Sequence, residues 1–157
     1  MNHSRRALPA ILAAALLAFA GPALADHIPA SSIPATDLVQ AADLAAVLAG
    51  PQAGRPLVLQ VGFRKGYAQA HIPGAEYVGA ASEDEGLEAL RRRVDPLPRD
   101  KAIVIYCGCC PWRKCPNIAA AYQRLQAMGF RAVKALYVAE DFGTDWVDRG
   151  YPVEPRS

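Results

Sequence analysis

The run Ile103-Val104-Ile105 constrains the fold more than any other segment, because unbroken β-branched residues leave a strand no polar face to turn to water. Such a strand must be covered on both sides, as at the centre of a parallel sheet with crossover helices on its two faces. The residues that follow suit that setting. The loop Cys107-Gly108-Cys109-Cys110-Pro111-Trp112-Arg113-Lys114-Cys115 leads to Pro116, a residue favoured in the first turn of a helix. Ile118, Tyr122, Leu125 and Met128 then recur on one helical face before Gly129.

The remainder alternates short apolar runs with helical patterns, which predicts an α/β fold with a central, mostly parallel sheet of about five strands flanked by helices in three layers. Leu38-Val39, Leu57 to Val61 and Val133 to Val138 are the other candidate strands. A helix is expected over Ala41 to Ala49, burying Leu44, Val47 and Leu48. Ser82 and Glu85 have the spacing of a capping box, and the helix they open places Leu87, Leu90 and Val94 on one face. Its Arg91-Arg92-Arg93 end reads as solvated and suited to the helix dipole. A short helix around Asp141 to Arg149 is expected to fold Trp146 into the core.

The amino terminus reads as an export signal. Arg5-Arg6 precede an apolar run from Ala10 to Ala20 and the pattern Ala23-Leu24-Ala25, so cleavage is expected after Ala25. That run is shorter than the ~20 apolar residues of a membrane-spanning helix. The expected mature form is therefore periplasmic or secreted and does not span the membrane. Residues 26–35, with Pro29, Ser31, Ser32 and Pro34, read as a flexible lead-in, and residues 36–157 as one domain. Without Arg5 and Arg6, basic and acidic residues balance at 15 each, which gives no electrostatic footprint for nucleic acid.

An exported chain ordinarily spreads its cysteines as a disulfide framework, yet all 4 lie between Cys107 and Cys115. That clustering points to a reactive, redox or metal site at the carboxyl end of a central strand, where open parallel sheets bind ligands. Loop N–H groups and the positive end of the following helix are expected to lower the pKa of Cys107. Arg113 and Lys114 would add to that effect and attract a sulfur oxyanion. Trp112 is expected to stand partly exposed at the loop tip and shape the entrance.

Three features in order resemble the rhodanese family, over about Asp37 to Val153: Tyr67-Ala68-Gln69-Ala70-His71-Ile72-Pro73-Gly74-Ala75, the apolar strand ending in Tyr106-Cys107, and the segment from Trp146 to Val153. The resemblance implies the rhodanese-like three-layer fold, a structural role for His71, Pro73 and Gly74, and a persulfide-forming Cys107. Gly108, Cys109, Cys110, Trp112, Arg113, Lys114 and Cys115 would then form the substrate-binding loop. The chain departs from the family in three places. Gln60-Val61-Gly62 stands where Asp-Val-Arg is usual, Asn117 falls in the place of the loop-closing arginine, and the loop is longer.

The first function implied is a sulfurtransferase that needs neither cofactor nor metal. It would take sulfur from a small donor such as thiosulfate or a persulfide and pass it to a thiol or cyanide. A thiol-disulfide oxidoreductase using Cys107 and Cys110, with Cys110 as the resolving thiol, stays open because Cys107-x-x-Cys110 joins a strand to a helix. So does binding of a thiophilic metal, copper(I) or zinc, by the cysteine cluster.

Overall fold

The computed structural model describes residues 30–154, so the export signal and the first lead-in residues lie outside the described residues. Five strands, β1 (Leu38–Val39), β2 (Leu57–Gln60), β3 (Glu76–Tyr77), β4 (Ile103–Tyr106) and β5 (Val133–Leu136), form one sheet in the order β1-β5-β4-β2-β3. All their pairings are parallel. The helices are α1 (Ala41–Ala49), α2 (Arg64–Gln69), α3 (Asp84–Val94) and α4 (Pro116–Ala127).

β4 takes the centre, and every one of its residues is buried. Alternation along it feeds two cores. Ile103 and Ile105 pack with Leu90 and Val94 of α3 and Ile118 and Leu125 of α4, whereas Val104 and Tyr106 pack with Leu44 of α1, Phe142 and Trp146. Helices on both faces give the three layers that the apolar run demands.

Other elements were less fully written in the pattern. β3 has two half-buried residues and α2 buries none, so neither carries an apolar run to announce it. Val47 is 49% exposed because α1 turns Leu44 toward the sheet, leaving Leu48 to cover the edge. The capping box does not form. α3 starts at Asp84 with Glu83 as an N-cap that makes no side-chain hydrogen bond, and Ser82 instead donates its backbone N–H to Asn117 Oδ1 at 2.8 Å. The helix expected near Asp141 to Arg149 is a single wide turn over Gly143–Val147, and it buries Trp146 with its Nε1–H donated to Pro152 O at 2.8 Å.

The described part of the lead-in packs against the domain. Ala30–Ser32 form a turn of 3-10 helix, with Ala30 and Ile33 buried in the α3/α4 core beside Trp112. Among the described residues no helix is long and apolar enough to cross a membrane.

Gly86 permits the close packing of α3 on the segment after β3. A Cβ there would lie 2.0 Å from Ala80 O and 2.5 Å from Ala80 C. Gly66 in α2 has nothing within 4 Å of the same position. Helix propensity favours alanine at both sites by roughly 0.8–1 kcal/mol, so the two substitutions should part in sign. Gly66→Ala should gain about 0.5–1 kcal/mol in urea unfolding, and Gly86→Ala should lose about 1–3 kcal/mol or more through overpacking. A stabilising Gly86→Ala would contradict this packing.

Candidate active site

β4 delivers Cys107 to the carboxyl edge of the sheet, and the next residue sets the loop. Gly108 has φ +71°, and a Cβ there would lie 2.6 Å from Phe142 Cβ. Its carbonyl accepts the Phe142 N–H at 3.1 Å, tying the loop to the segment after β5. The turn brings Cys109 Sγ to 3.1 Å from Cys107 Sγ. Cys115, the residue capping α4, closes the group, and the sulfurs of Cys107, Cys109 and Cys115 all lie within 4.8 Å of one another. Cys107 and Cys115 are 5% and 2% exposed, while Cys109 faces solvent.

The cradle of Cys107 is made by the residues that depart from the family pattern. Asn117, fully buried at the start of α4, donates Nδ2–H to Cys107 Sγ at 3.4 Å and approaches Cys109 Sγ at 3.8 Å. Its orientation is fixed by Oδ1, which accepts the Ser82 N–H. Gln60 Nε2 donates to Cys107 O at 3.3 Å and Gln60 Oε1 accepts the Gly62 N–H at 3.2 Å. Gly62 supplies space, since a Cβ there would lie 2.8 Å from Cys107 Sγ. Sequence reasoning marked Gln60, Gly62 and Asn117 as departures and did not include them in the site; the signal available was their place in the family pattern.

The hydrogen bond with Cys109, the nearby Cys115 sulfur and burial together push the Cys107 thiol up. The nearby sulfurs of Cys107 and Cys109 hold the Cys115 thiol down against the opposing effect of burial, with help from the Asn117 and Ile118 backbone N–H groups. Contact with Cys107 draws the Cys109 thiol down, but Cys115 and burial outweigh it and the thiol ends raised. Cys110 is pushed up to about 11 by burial and by Cys109. The thiols of Cys107, Cys109 and Cys115 thus titrate together, and ionisation of one holds its neighbours protonated. The helix-start N–H groups serve the cap residue, not the strand-end cysteine.

A cavity of about 590 Å³ opens in front of Cys107, with Gln60, Lys65, Tyr106 and Cys109 in its walls. Phe63 and Val147, 46% and 37% exposed, give it an apolar lip. Several loop residues stand elsewhere than expected. Trp112 is only 9% exposed, because the turn Trp112–Lys114 swings the indole inward to 5.2 Å from the Tyr137 ring while the Trp112 backbone N–H donates to Ala139 O at 3.0 Å. It closes the core behind the loop and does not shape the entrance. The same turn points Arg113 and Lys114 to solvent, and neither lines the cavity. The thiol against Cys107 is Cys109, whereas Cys110 Sγ contacts Cys109 Sγ at 3.4 Å and falls outside the close trio. The Gly108 turn therefore gives Cys109 the position of a resolving thiol that the spacing had suggested for Cys110.

His71, Pro73 and Gly74 brace the scaffold and do not line the cavity. His71 Nδ1 lies 3.0 Å from Tyr67 O, and its ring stacks on Tyr67 at 3.9 Å. The next residue, Ile72, donates its N–H to Tyr106 Oη at 3.3 Å, coupling this segment to the strand that carries Cys107. Gly74, with φ +73°, donates its N–H to Glu154 Oε2 at 3.2 Å.

Two substitutions separate the role of Asn117 from the unformed capping box. Asn117→Ala strands a backbone N–H and should cost about 1–3 kcal/mol in denaturant unfolding. Ser82→Ala should stay within about 0.5 kcal/mol of the parent. A loss of about 1 kcal/mol in Ser82→Ala, the usual cost of deleting an N-cap hydroxyl, would contradict this assignment.

The fold is similar to that of the Alr3790 protein from Anabaena sp., with TM-score 0.57 and 21% identity over 75% of this chain and 92% of that one. The BH2092 protein from Bacillus halodurans gives TM-score 0.57 and 24% identity, covering 74% of this chain and 75% of that one. A rhodanese-like domain protein from Staphylococcus aureus gives TM-score 0.52 and 17% identity over 77% of this chain and 99% of that one. At these identities the likeness speaks for the fold alone. No curated protein matches. The family model for the rhodanese-like domain matches residues 42–140, more than half of the chain and the whole of the cysteine loop. With its parallel sheet and its cysteine cluster at the end of β4, the chain belongs to the rhodanese-like domain family.

Proposed function

We propose that the protein is a sulfurtransferase that carries a sulfane sulfur on Cys107, taking it from a small donor such as thiosulfate and passing it to a thiol or cyanide. The observation that carries this reading is the seat of Cys107. It stands at the carboxyl end of the central strand, in the wall of the cavity, with Asn117 Nδ2 directed at its sulfur.

With the negative charge of the cluster on Cys107 and the proton on Cys115, the Cys107 thiolate attacks the outer sulfur of thiosulfate. The S–S bond of the donor breaks and sulfite leaves with the bonding pair, so Cys107 becomes a persulfide anion and Cys115 stays a thiol. The negative charge moves within the cluster, and the buried site never holds an added thiolate. An acceptor nucleophile then takes the outer sulfur and returns Cys107 to the thiolate. Lys65, in the cavity wall, supplies positive charge for an anionic donor, the part that sequence reasoning gave to Arg113 and Lys114.

Thiol-disulfide exchange is a second reading, favoured by the 3.1 Å contact of Cys107 and Cys109 sulfurs. It would pair those two residues in place of Cys107 and Cys110.

Reduced full-length protein incubated with thiosulfate should gain one sulfur by intact mass, removable by cyanide as thiocyanate and mapped to Cys107. Sulfur that still adds to Cys107→Ser, or fails to add to the parent, would refute the reading. Export is proposed from the Arg5-Arg6, apolar run and Ala-x-Ala series. Amino-terminal sequencing of protein expressed in a Gram-negative host should begin at Asp26, and a soluble product retaining Met1 would count against it.

A further inference from the structure

The three sulfurs of Cys107, Cys109 and Cys115 approach one another more closely than one nucleophile requires. They lie within 4.8 Å of each other, two of them buried, with one contact as short as 3.1 Å. Thiolates held about 2.3 Å from a shared ion stand roughly 4 Å apart, inside the range that these side chains already span. Small movements of Sγ would seat an ion between them.

The surroundings select the kind of ion. Among the described residues no histidine or carboxylate joins the group, so every ligand is a soft sulfur. Among the described residues no lysine, arginine or histidine donates a hydrogen bond to the three sulfurs, and their charge as thiolates would have to be met by a bound cation. Asn117 Nδ2 faces Cys107 and Cys109 and is locked by Ser82, the outer-shell bracing that orients metal ligands. The cavity, which Cys107 and Cys109 both line, supplies the path of entry. Structural zinc sites take four protein ligands, and the remaining thiol, Cys110, stands outside the trio. A three-sulfur set suits a soft monovalent ion.

We propose that Cys107, Cys109 and Cys115 form a three-coordinate copper(I) site, reached from the same cavity as the sulfur donor. As each S–Cu bond forms, the sulfur binds as thiolate, and any proton it holds is released to solvent; copper remains copper(I). Binding occupies the Cys107 electron pair that would attack a sulfur donor, so the metal-loaded protein cannot take up sulfur. The site does not depend on the sulfurtransferase reading.

The test uses reduced, metal-free full-length protein and copper(I) added anaerobically against a chromophoric copper(I) chelator. One equivalent should be retained, and X-ray absorption should show three sulfur neighbours. Cys110→Ser should retain the ion, whereas Cys109→Ser and Cys115→Ser should each lose it. Asn117→Ser should weaken binding about 10–100-fold, as loss of outer-shell support does elsewhere. Failure of the folded parent to retain copper would overturn the proposal, as would equal retention in Cys109→Ser and Cys115→Ser. Loss in Cys110→Ser with four sulfur neighbours would replace it with a four-sulfur site. Thiosulfate added to the metal-free and copper-loaded forms separates the two readings. Sulfur uptake without copper binding overturns the copper site alone, and copper binding without uptake by the metal-free form overturns the sulfurtransferase alone. Undiminished uptake by the copper-loaded form would show that the two sites do not share Cys107.

Discussion

Burial of β4 on both faces is the constraint from which the remaining architecture follows. Each of Ile103, Val104, Ile105 and Tyr106 is at most 5% exposed, and full burial of such side chains contributes about 1.5–3 kcal/mol apiece. A strand held that firmly has an end that cannot wander. Cys107 inherits this fixity, with Ile105 locked between α3 and α4 on one side and Tyr106 packed near Phe142 on the other. The His71 to Gly74 segment adds a polar tie, through the Ile72 N–H, to the last residue of the same strand.

Around that fixed point the protein builds a neutral cradle. Gln60, Gly62 and Asn117 occupy the positions where the family pattern places charged groups, and each serves the cysteine by geometry. Gln60 holds its carbonyl, Gly62 leaves room for its sulfur, and Asn117 donates to that sulfur. Among the described residues no cationic side chain hydrogen-bonds the sulfurs, and the site's polar surroundings are the neighbouring thiols, Asn117 and the amino end of α4. The enlarged loop is thereby explained. It wraps additional thiols around Cys107 where the family pattern closes the loop with an arginine.

The features legible in the sequence were those set by periodicity. The run Ile103 to Ile105 gave the central strand, the Ile118, Tyr122 and Leu125 spacing gave α4, and the clustering of cysteines gave the site. What escaped was set by distant partners. Ser82 looked like a helix cap, yet Asn117 took its backbone N–H across 35 residues of chain. Trp112 looked exposed in a polar loop, but Ala30 and Ile33 from the lead-in help to bury it. Cys110 had the more familiar spacing from Cys107, and only the left-handed turn at Gly108 shows that Cys109 is the one folded against it. Local pattern carries no record of such contacts.

The central claim is that Cys107, held by Asn117, is the sulfur-bearing residue. A crystal structure of the reduced protein after exposure to thiosulfate tests it most directly. The account predicts one additional sulfur bonded to Cys107 Sγ and directed into the cavity, with Asn117 Nδ2 still facing the persulfide. An additional sulfur on Cys109 or Cys115 in its place, with Cys107 unmodified, would contradict it.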